Sequence, residues 1–262
     1  MSVMSAQFCR EYARHRAGEG RALRGAELKA LPYLRSGPHA RQWAVRAASF
    51  DAFVAHMAKP MAAAGPMDVL DAGAGSGWLC NRMAQMGNRA VALDIRDDDV
   101  DGLGAAKDFL IDAPDLLQCA CASFDDLPFD DHCFDVTVFN ASLHYATDLR
   151  RVLAEAVRVT RRGGVLAILD SPFYACEEDG RLMVAEKIQS GAARFGERAD
   201  VLLTQNFIEY LTPEKLATAS HTLSWLRRRV RYPMWYETRP LVARLRGRRK
   251  PSRFDLWTAR AP

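Results

Sequence analysis

Val69-Leu70-Asp71-Ala72-Gly73-Ala74-Gly75-Ser76-Gly77-Trp78-Leu79 runs from a short apolar strand, through alternating glycines, into a helix. An acid closes the strand, and the glycines stand where backbone must turn sharply or approach a ligand with no side chain between. Spacing discriminates between ligands. A dinucleotide pyrophosphate is gripped by Gly-x-Gly-x-x-Gly, but the residue three past Gly75 is Trp78. That disfavours a nicotinamide dehydrogenase. What stands instead is Asp71-x-Gly73-x-Gly75-x-Gly77. A tight turn with no ligand is the bland reading, and the flanking residues decide between the two.

Outward from this turn, short apolar runs alternate with amphipathic stretches. Strands are expected at 67–71, 90–94, 117–122, 134–140 and 164–170, with helices at 77–86, 101–110 and 148–160 between them. Strands separated by helices predict a parallel sheet covered on both faces. Upstream, Phe8, Tyr12 and Ala13 share a helical face until Gly18, Gly20 and Gly25 break the pattern. Trp43, Ala47, Phe50, Val54 and Met57, widened by Phe53, mark a helix over 39–59, which Pro60 and Gly65-Pro66 should end. Downstream, 173–220 reads as a mostly helical insertion containing a good helix start, Thr212 as N-cap and Pro213 at the first turn. A strand over 223–232, a short helix over 239–245 and a last strand over 254–260 complete the reading.

Two more segments bear on the turn. Asp94 closes the next strand 23 positions after Asp71, where a carboxylate can accept hydrogen bonds from both hydroxyls of a ribose. Further on come Ser123-Phe124-Asp125-Asp126-Leu127-Pro128-Phe129, a short acidic turn and Phe134-Asp135 before a strand, then Arg158-Val159-Thr160-Arg161-Arg162-Gly163-Gly164-Val165-Leu166. In this order and spacing, over residues 67–171, the chain resembles the class I S-adenosylmethionine-dependent methyltransferases, in particular the type 11-like domains of the small-molecule and lipid branch. The resemblance implies an α/β fold with a Rossmann-like seven-stranded sheet, mostly parallel with the last strand antiparallel, and helices on both faces. It also implies an N-terminal helical extension or lid over 1–60 and a transferase domain over 61–262, with the insertion following strand five. S-adenosylmethionine is the implied cofactor, held by Asp71, Gly73, Ala74, Gly75, Gly77, Asp94, Ile95, Ser123, Phe124 and Asn140. Ser123 departs from the family, in which an Asp contacting the adenine amino group is common. The position of Phe124 resembles the one whose backbone amide meets adenine.

Methyl transfer from a sulfonium is an in-line displacement in which the donor brings its own leaving group, so the protein mainly positions an acceptor and excludes water. A base is needed only where the nucleophile must lose a proton. Asn140-Ala141-Ser142-Leu143-His144-Tyr145 follows the fourth strand, and ligands of such sheets lie beyond the carboxyl ends of the strands. His144 is therefore a candidate base or acceptor-orienting group, and Tyr145 a lid or hydrogen-bond donor. Packing of His144 under the loop is the alternative. Phe173, Tyr174, Phe195, Phe207 and Tyr210 either line an acceptor pocket or form the insertion's own core. Arg41, Trp43 and Arg46 either close over the donor's carboxylate or belong to a solvated face.

Charge is unevenly placed. Residues 1–50 hold nine Lys/Arg and three acids, residues 224–262 twelve and two, and the rest 15 and 27, so an acidic centre lies between basic ends. Such ends suit an anionic acceptor, lipid headgroups or nucleic acid, or are simply solvated. The clusters Arg227-Arg228-Arg229, Arg231 and 246–250 favour RNA through phosphate attraction. The chain shows no RNA-binding module, and Asp170-Ser171-Pro172-Phe173 lies at the wrong strand for an amino-methylating motif. A non-catalytic donor-binding subunit is a further alternative. The six cysteines form no C-x-x-C pair, so no metal site is assigned. Cys119 and Cys121, two apart, are expected on one buried face of a strand. No run nears the roughly 20 apolar residues that span a bilayer, and charges interrupt the N-terminus where a secretory signal needs an apolar core. A cytoplasmic protein acting on a small or lipid-like acceptor is the resulting expectation.

Overall fold

The computed structural model describes residues 6–196, 199–203 and 205–262; residues 1–5 of the N-terminal reading and positions 197, 198 and 204 of the expected insertion lie outside the described residues. Strands β1 (Asp68–Ala72), β2 (Arg89–Asp94), β3 (Leu117–Cys121), β4 (Phe134–Asn140), β5 (Thr160–Leu169), β6 (Leu226–Arg228) and β7 (Leu256–Arg260) build one sheet. Their order is β3-β2-β1-β4-β5-β7-β6. The pairs β1–β2, β1–β4, β2–β3 and β4–β5 are parallel, and β7 runs antiparallel to both β5 and β6. This is the expected seven-stranded, mostly parallel sheet with its last strand reversed.

Burial on both faces explains why the central strands read as continuous apolar runs. Along β5 the period of two is visible in the packing: Val165, Ala167 and Leu169 join one core with Phe50, Phe53 and Met83, while Leu166 and Ile168 join the other with Phe139 and Leu153. The helices are α1 (Ala6–Gly18), α2 (Gly25–Ala30), α3 (Ala40–Phe53), α4 (Lys59–Ala62), α5 (Trp78–Gln85), α6 (Lys107–Asp112) and α7 (Leu149–Val159). After β5 come α8 (Glu177–Gln189), α9 (Gly191–Phe195), α10 (Ala199–Leu203), α11 (Pro213–Ala219), α12 (Met234–Glu237) and α13 (Arg239–Leu245). Caps fall where the chemistry asks for them. Asp148 accepts from the amides of Arg150 and Arg151 to start α7, and Thr212 accepts from Lys215 to start α11 with Pro213 in its first turn.

Four local expectations are corrected. Pro60 does not end the helix that contains Trp43; a wide π turn over Val54–Ala58 accommodates the ring, and the helix runs on through α4. The helix expected at 101–110 opens as a 3-10 turn over Leu103–Ala106, with Gly102 and Gly104 pressed against the backbone of Asp97 and Asp98, and continues to Asp112. The strand expected at 223–232 shrinks to β6, because the Asp255 carboxylate takes the Val230 amide out of any ladder. Cys119 and Cys121 are exposed, since β3 is the edge strand and one of its faces is uncovered. Among the described residues no helix is long and apolar enough to cross a membrane.

Candidate functional site

Strand order reverses between β1 and β4, which opens a crevice beyond their carboxyl ends. The glycine turn fills its floor. Gly73 and Ala74 donate to the Leu93 carbonyl at 2.7 and 2.9 Å, pinning the turn to the end of β2. At the end of β4, Ala141 takes a left-handed backbone (φ +57°), and the Ser142 hydroxyl reaches back to the Ala72 carbonyl at 2.5 Å. Gly73 (φ +83°) lies directly under Ser142, and a Cβ there would collide with the serine side chain. Gly75 (φ +55°) faces the Asp101 carbonyl, 3.0 Å from where its Cβ would be. Both positions exclude side chains for steric and conformational reasons together.

A cavity of about 750 Å³ occupies the crevice. At one end Asp94 holds the turn: its Oδ2 accepts from Gly75 N at 2.8 Å and its Oδ1 from Arg96 N at 2.9 Å. Burial raises the Asp94 pKa, opposed by the Arg96 charge and those amides. Behind the turn, Asp71 is fully buried and neither carboxylate oxygen makes a well-formed hydrogen bond among the described residues. Burial, then the Asp94 charge, pushes its pKa well above the usual carboxylate range, with only the Asn140 backbone amide, too poorly placed for a full hydrogen bond, pulling the other way. The Asn140 Oδ1 is likewise buried, with no partner among the described residues.

At the other end His144 and Tyr145 form one wall. Burial, with the charges of Lys187 and Arg46, lowers the His144 pKa to about 3, so the imidazole is neutral at ordinary pH. Its Nδ1 lies 3.5 Å from the Ser171 hydroxyl. Tyr145 shares a 3.0 Å hydrogen bond with the Tyr12 hydroxyl, and burial next to Tyr12 pushes its pKa well up. On the adjacent strand Asp170 also lines the cavity, closing β5 in a left-handed conformation (φ +51°) rare for a residue with a side chain. It is 7% exposed; Ser49 Oγ donates to its Oδ1 at 2.5 Å, while Oδ2 has no partner among the described residues. Burial raises its pKa against the pull of Arg46 and Ser49. Arg46 itself lines the cavity, its guanidinium 5.0 Å over the Trp43 ring.

The roof comes from two distant segments. Phe8, Tyr12 and Arg16 of α1 line the cavity, and so do 205–207 after α10. The roof has its own small apolar cluster, in which Phe8 packs with Phe195 and Leu202. It is fastened to the sheet by Arg16, whose Nε lies 2.5 Å from Asp101 Oδ2, while Arg96 grips the other Asp101 oxygen at 2.7 Å.

Of the residues singled out in the sequence, Gly73, Ala74, Gly75, Asp94 and Ile95 line the cavity. So do Ser123, Phe124, Asn140, His144 and Tyr145. Asp71 lies beneath the lining, and Gly77 packs against Ala106 and Ala92 at the start of α5. Among the aromatic residues of the insertion, Phe207 reaches the cavity, whereas Phe173 stacks on Trp257 and Tyr174 packs against Tyr210. Arg41 and Trp43 sit outside, against Trp235 and Trp78. Sequence reading missed Tyr12, Arg16, Arg96 and Asp101, whose partners are remote or in a loop. It also missed Asp170, although an acid closing a strand is the signal that singled out Asp94.

Comparison with known proteins fits this geometry. The family described as methyltransferase domain matches residues 70–168. A malonyl-[acyl-carrier protein] O-methyltransferase of Buchnera aphidicola is 30% identical over 103 residues, 38% of each chain, so this chain spans about two fifths of that relative's length. A demethylmenaquinone methyltransferase of Corynebacterium urealyticum is 33% identical over 162 residues, 60% of this chain and 66% of the relative. In fold, the chain is similar to the 1,6-didemethyltoxoflavin-N1-methyltransferase of Burkholderia thailandensis, with a TM-score of 0.52 and 20% identity over 83% of this chain and 78% of that one. Residues 70–168 thus match the methyltransferase domain family, and they lie in a Rossmann-like, mostly parallel seven-stranded sheet.

Proposed function

We propose that the protein is an S-adenosylmethionine-dependent methyltransferase that alkylates a small or lipid-like acceptor by in-line displacement. The observation that carries the reading is the continuity of one cavity, about 750 Å³, from the Asp94 and glycine-turn end to the His144 and Asp170 end. That is room for a nucleoside donor and a modest acceptor together, within the roughly 300–1,000 Å³ of ligand pockets. The relative solved with S-adenosylhomocysteine supports the donor assignment. The donor, when bound, supplies the methyl group, the leaving thioether and the positive charge.

The chain's own residues fit such a guest. Asp94 would accept from the ribose hydroxyls with the lone pairs that Gly75 and Arg96 leave free. Asn140, whose Oδ1 has no partner among the described residues, would accept from the donor's ammonium group, and Arg46, a cation of the lining, would meet its carboxylate. Ser123 and Phe124 wall the adenine side. At the acceptor end, a histidine with pKa about 3 is a weak base, so His144 acts as a neutral hydrogen-bonding group that orients the acceptor. Where the nucleophile carries a proton, Asp170 Oδ2 receives it. The roof of α1 and 205–207 keeps water out. In this reading α1 is the part of the 1–60 extension that serves as lid, α3 belongs with the core of the 61–262 transferase domain, and the setting is cytoplasmic.

The malonyl-carrier, quinone and heterocycle methyltransferases resembling this chain suggest small acceptors of varied chemistry. The RNA acceptor and the non-catalytic subunit gain no observation of their own. The test is transfer of tritiated methyl from the donor to a malonyl thioester, a demethylated quinol, a heterocyclic N–H compound and a fractionated cell extract. Label in any acceptor, lost in Asp94→Ala, is the expected result. Donor binding with no label in any fraction would overturn catalysis and leave a binding subunit.

A further inference from the structure

α12 (Met234–Glu237) and α13 (Arg239–Leu245) meet at Thr238, whose backbone is helical (φ −79°, ψ −9°), so the two run on as one bent helical segment. Met234, Leu241 and Leu245 recur at steps of seven and four, the spacing of one face, and are 76, 58 and 78% exposed. Trp235 and Val242, again seven apart, widen that face and are also exposed. Single exposed apolar side chains are ordinary on a protein surface. Five within twelve positions are a patch that calls for a partner.

The charges around it have one sign. Local acids are already engaged: Glu237 by Arg229 and Arg253, Asp255 by Arg227, and Glu186 by Arg249. Arg231, Arg244, Arg246 and Arg248 are exposed and make no ion pair among the described residues. Apolar side chains projecting from a short helix, ringed by unpaired arginines with long apolar stems, match the physical profile of a segment lying in a membrane interface. A nucleic acid would satisfy the arginines but leave Leu241 and Leu245 in water. A second copy of this face would set like charges against each other. An anionic bilayer satisfies both parts.

We propose that residues 231–248 are a docking surface for an anionic lipid bilayer, with Met234, Leu241, Val242 and Leu245 at the acyl boundary and the four arginines among the headgroups. Trp235 is shared between this patch and the cavity wall, which also includes Tyr236 and Arg239 of the same segment. Docking therefore brings the wall of the methyl-transfer cavity to the bilayer surface. Its role in delivering an amphipathic acceptor rests on the function proposed above; the docking itself does not.

The test is cosedimentation of the full chain with vesicles of phosphatidylcholine alone, and of phosphatidylcholine with roughly a third phosphatidylglycerol. Wild type should bind the mixed vesicles, weakly or not at all the neutral ones, and lose binding as salt rises. Arg244→Gln/Arg246→Gln/Arg248→Gln and Leu241→Gln/Leu245→Gln should each cut partitioning about tenfold or more. Both variants should keep wild-type affinity for S-adenosylhomocysteine, which reads the donor cavity separately. Failure of wild type to prefer anionic vesicles at low salt overturns the proposal whatever the variants do. So does tight single-stranded RNA binding that survives Leu241→Gln/Leu245→Gln while vesicle binding is absent, or a dimer in solution that this variant dissociates.

Discussion

Asp71 is an acid that the free protein has reason to avoid: fully buried, beside the Asp94 charge, with no well-formed hydrogen bond to either oxygen among the described residues and only the Asn140 backbone amide near enough to favour its charge. Its raised folded pKa means that the unfolded chain ionises first as pH climbs from about 4. Stability of the ligand-free protein therefore falls with rising pH until the folded group also ionises. Asp71→Asn should stabilise the ligand-free form by about 1–3 kcal/mol near neutrality, with the advantage over wild type shrinking towards pH 4, as read by thermal melts across pH. Retaining such a residue at a cost in stability is the mark of a functional position. The same logic separates the two candidates at the acceptor end. Asp170 faces Arg46 and the hydroxyls of Ser49 and Tyr232, with Tyr236 close enough to feel its charge. With a protic acceptor, Asp170→Asn should lower kcat roughly 10²-fold or more, while His144→Gln keeps the pH profile. In wild type, activity should rise with pH through a carboxyl titrating above the usual range, because the base must be ionised. A profile governed by His144 instead would reverse the two roles.

At the scale of elements, the roof is held by few and specific contacts. Arg16 links α1 to Asp101, and Tyr12 links it to Tyr145. Removing the ion pair with Arg16→Gln should speed amide exchange across α1 and raise the S-adenosylhomocysteine off-rate roughly fivefold, with little change in global melting. An off-rate unchanged alongside faster exchange would show that the roof does not gate the cavity. These contacts also mark where sequence reading stopped. The strands, the Asp148 and Thr212 caps and the glycine turn depend on neighbours a few residues away, and each is visible in local pattern. Tyr12 and Tyr145 lie 133 positions apart, and Tyr12 reads as one more apolar position on a helix face. Cys119 and Cys121 were expected inside because alternation reports which residues share a face, and only sheet order reports that β3 is at the edge. His144 was legible as a site residue from its strand end. Its neutrality was not, because it comes from burial and from Lys187 and Arg46, both remote in sequence.

For the whole molecule, the acidic centre and basic ends resolve into different roles. The N-terminal cations include Arg16 and Arg46 at the cavity, whereas the C-terminal ones divide between internal ion pairs and the exposed rim of α12 and α13. Similarity to the Buchnera relative covers 38% of this chain, so what distinguishes it, roof and C-terminal patch, lies in the flanks. The donor site belongs to the matched part, and everything proposed about acceptors depends on it. Calorimetric titration with S-adenosylhomocysteine, beside NADH, of wild type and Asp94→Ala tests it most directly. Binding of the nucleoside thioether should be micromolar or tighter and that of NADH absent, with an affinity about 10²-fold weaker in Asp94→Ala from the loss of charge-assisted hydrogen bonds. Folded wild type that fails to bind S-adenosylhomocysteine would overturn the donor site, and Asp94→Ala binding it as tightly as wild type would remove Asp94 from that site.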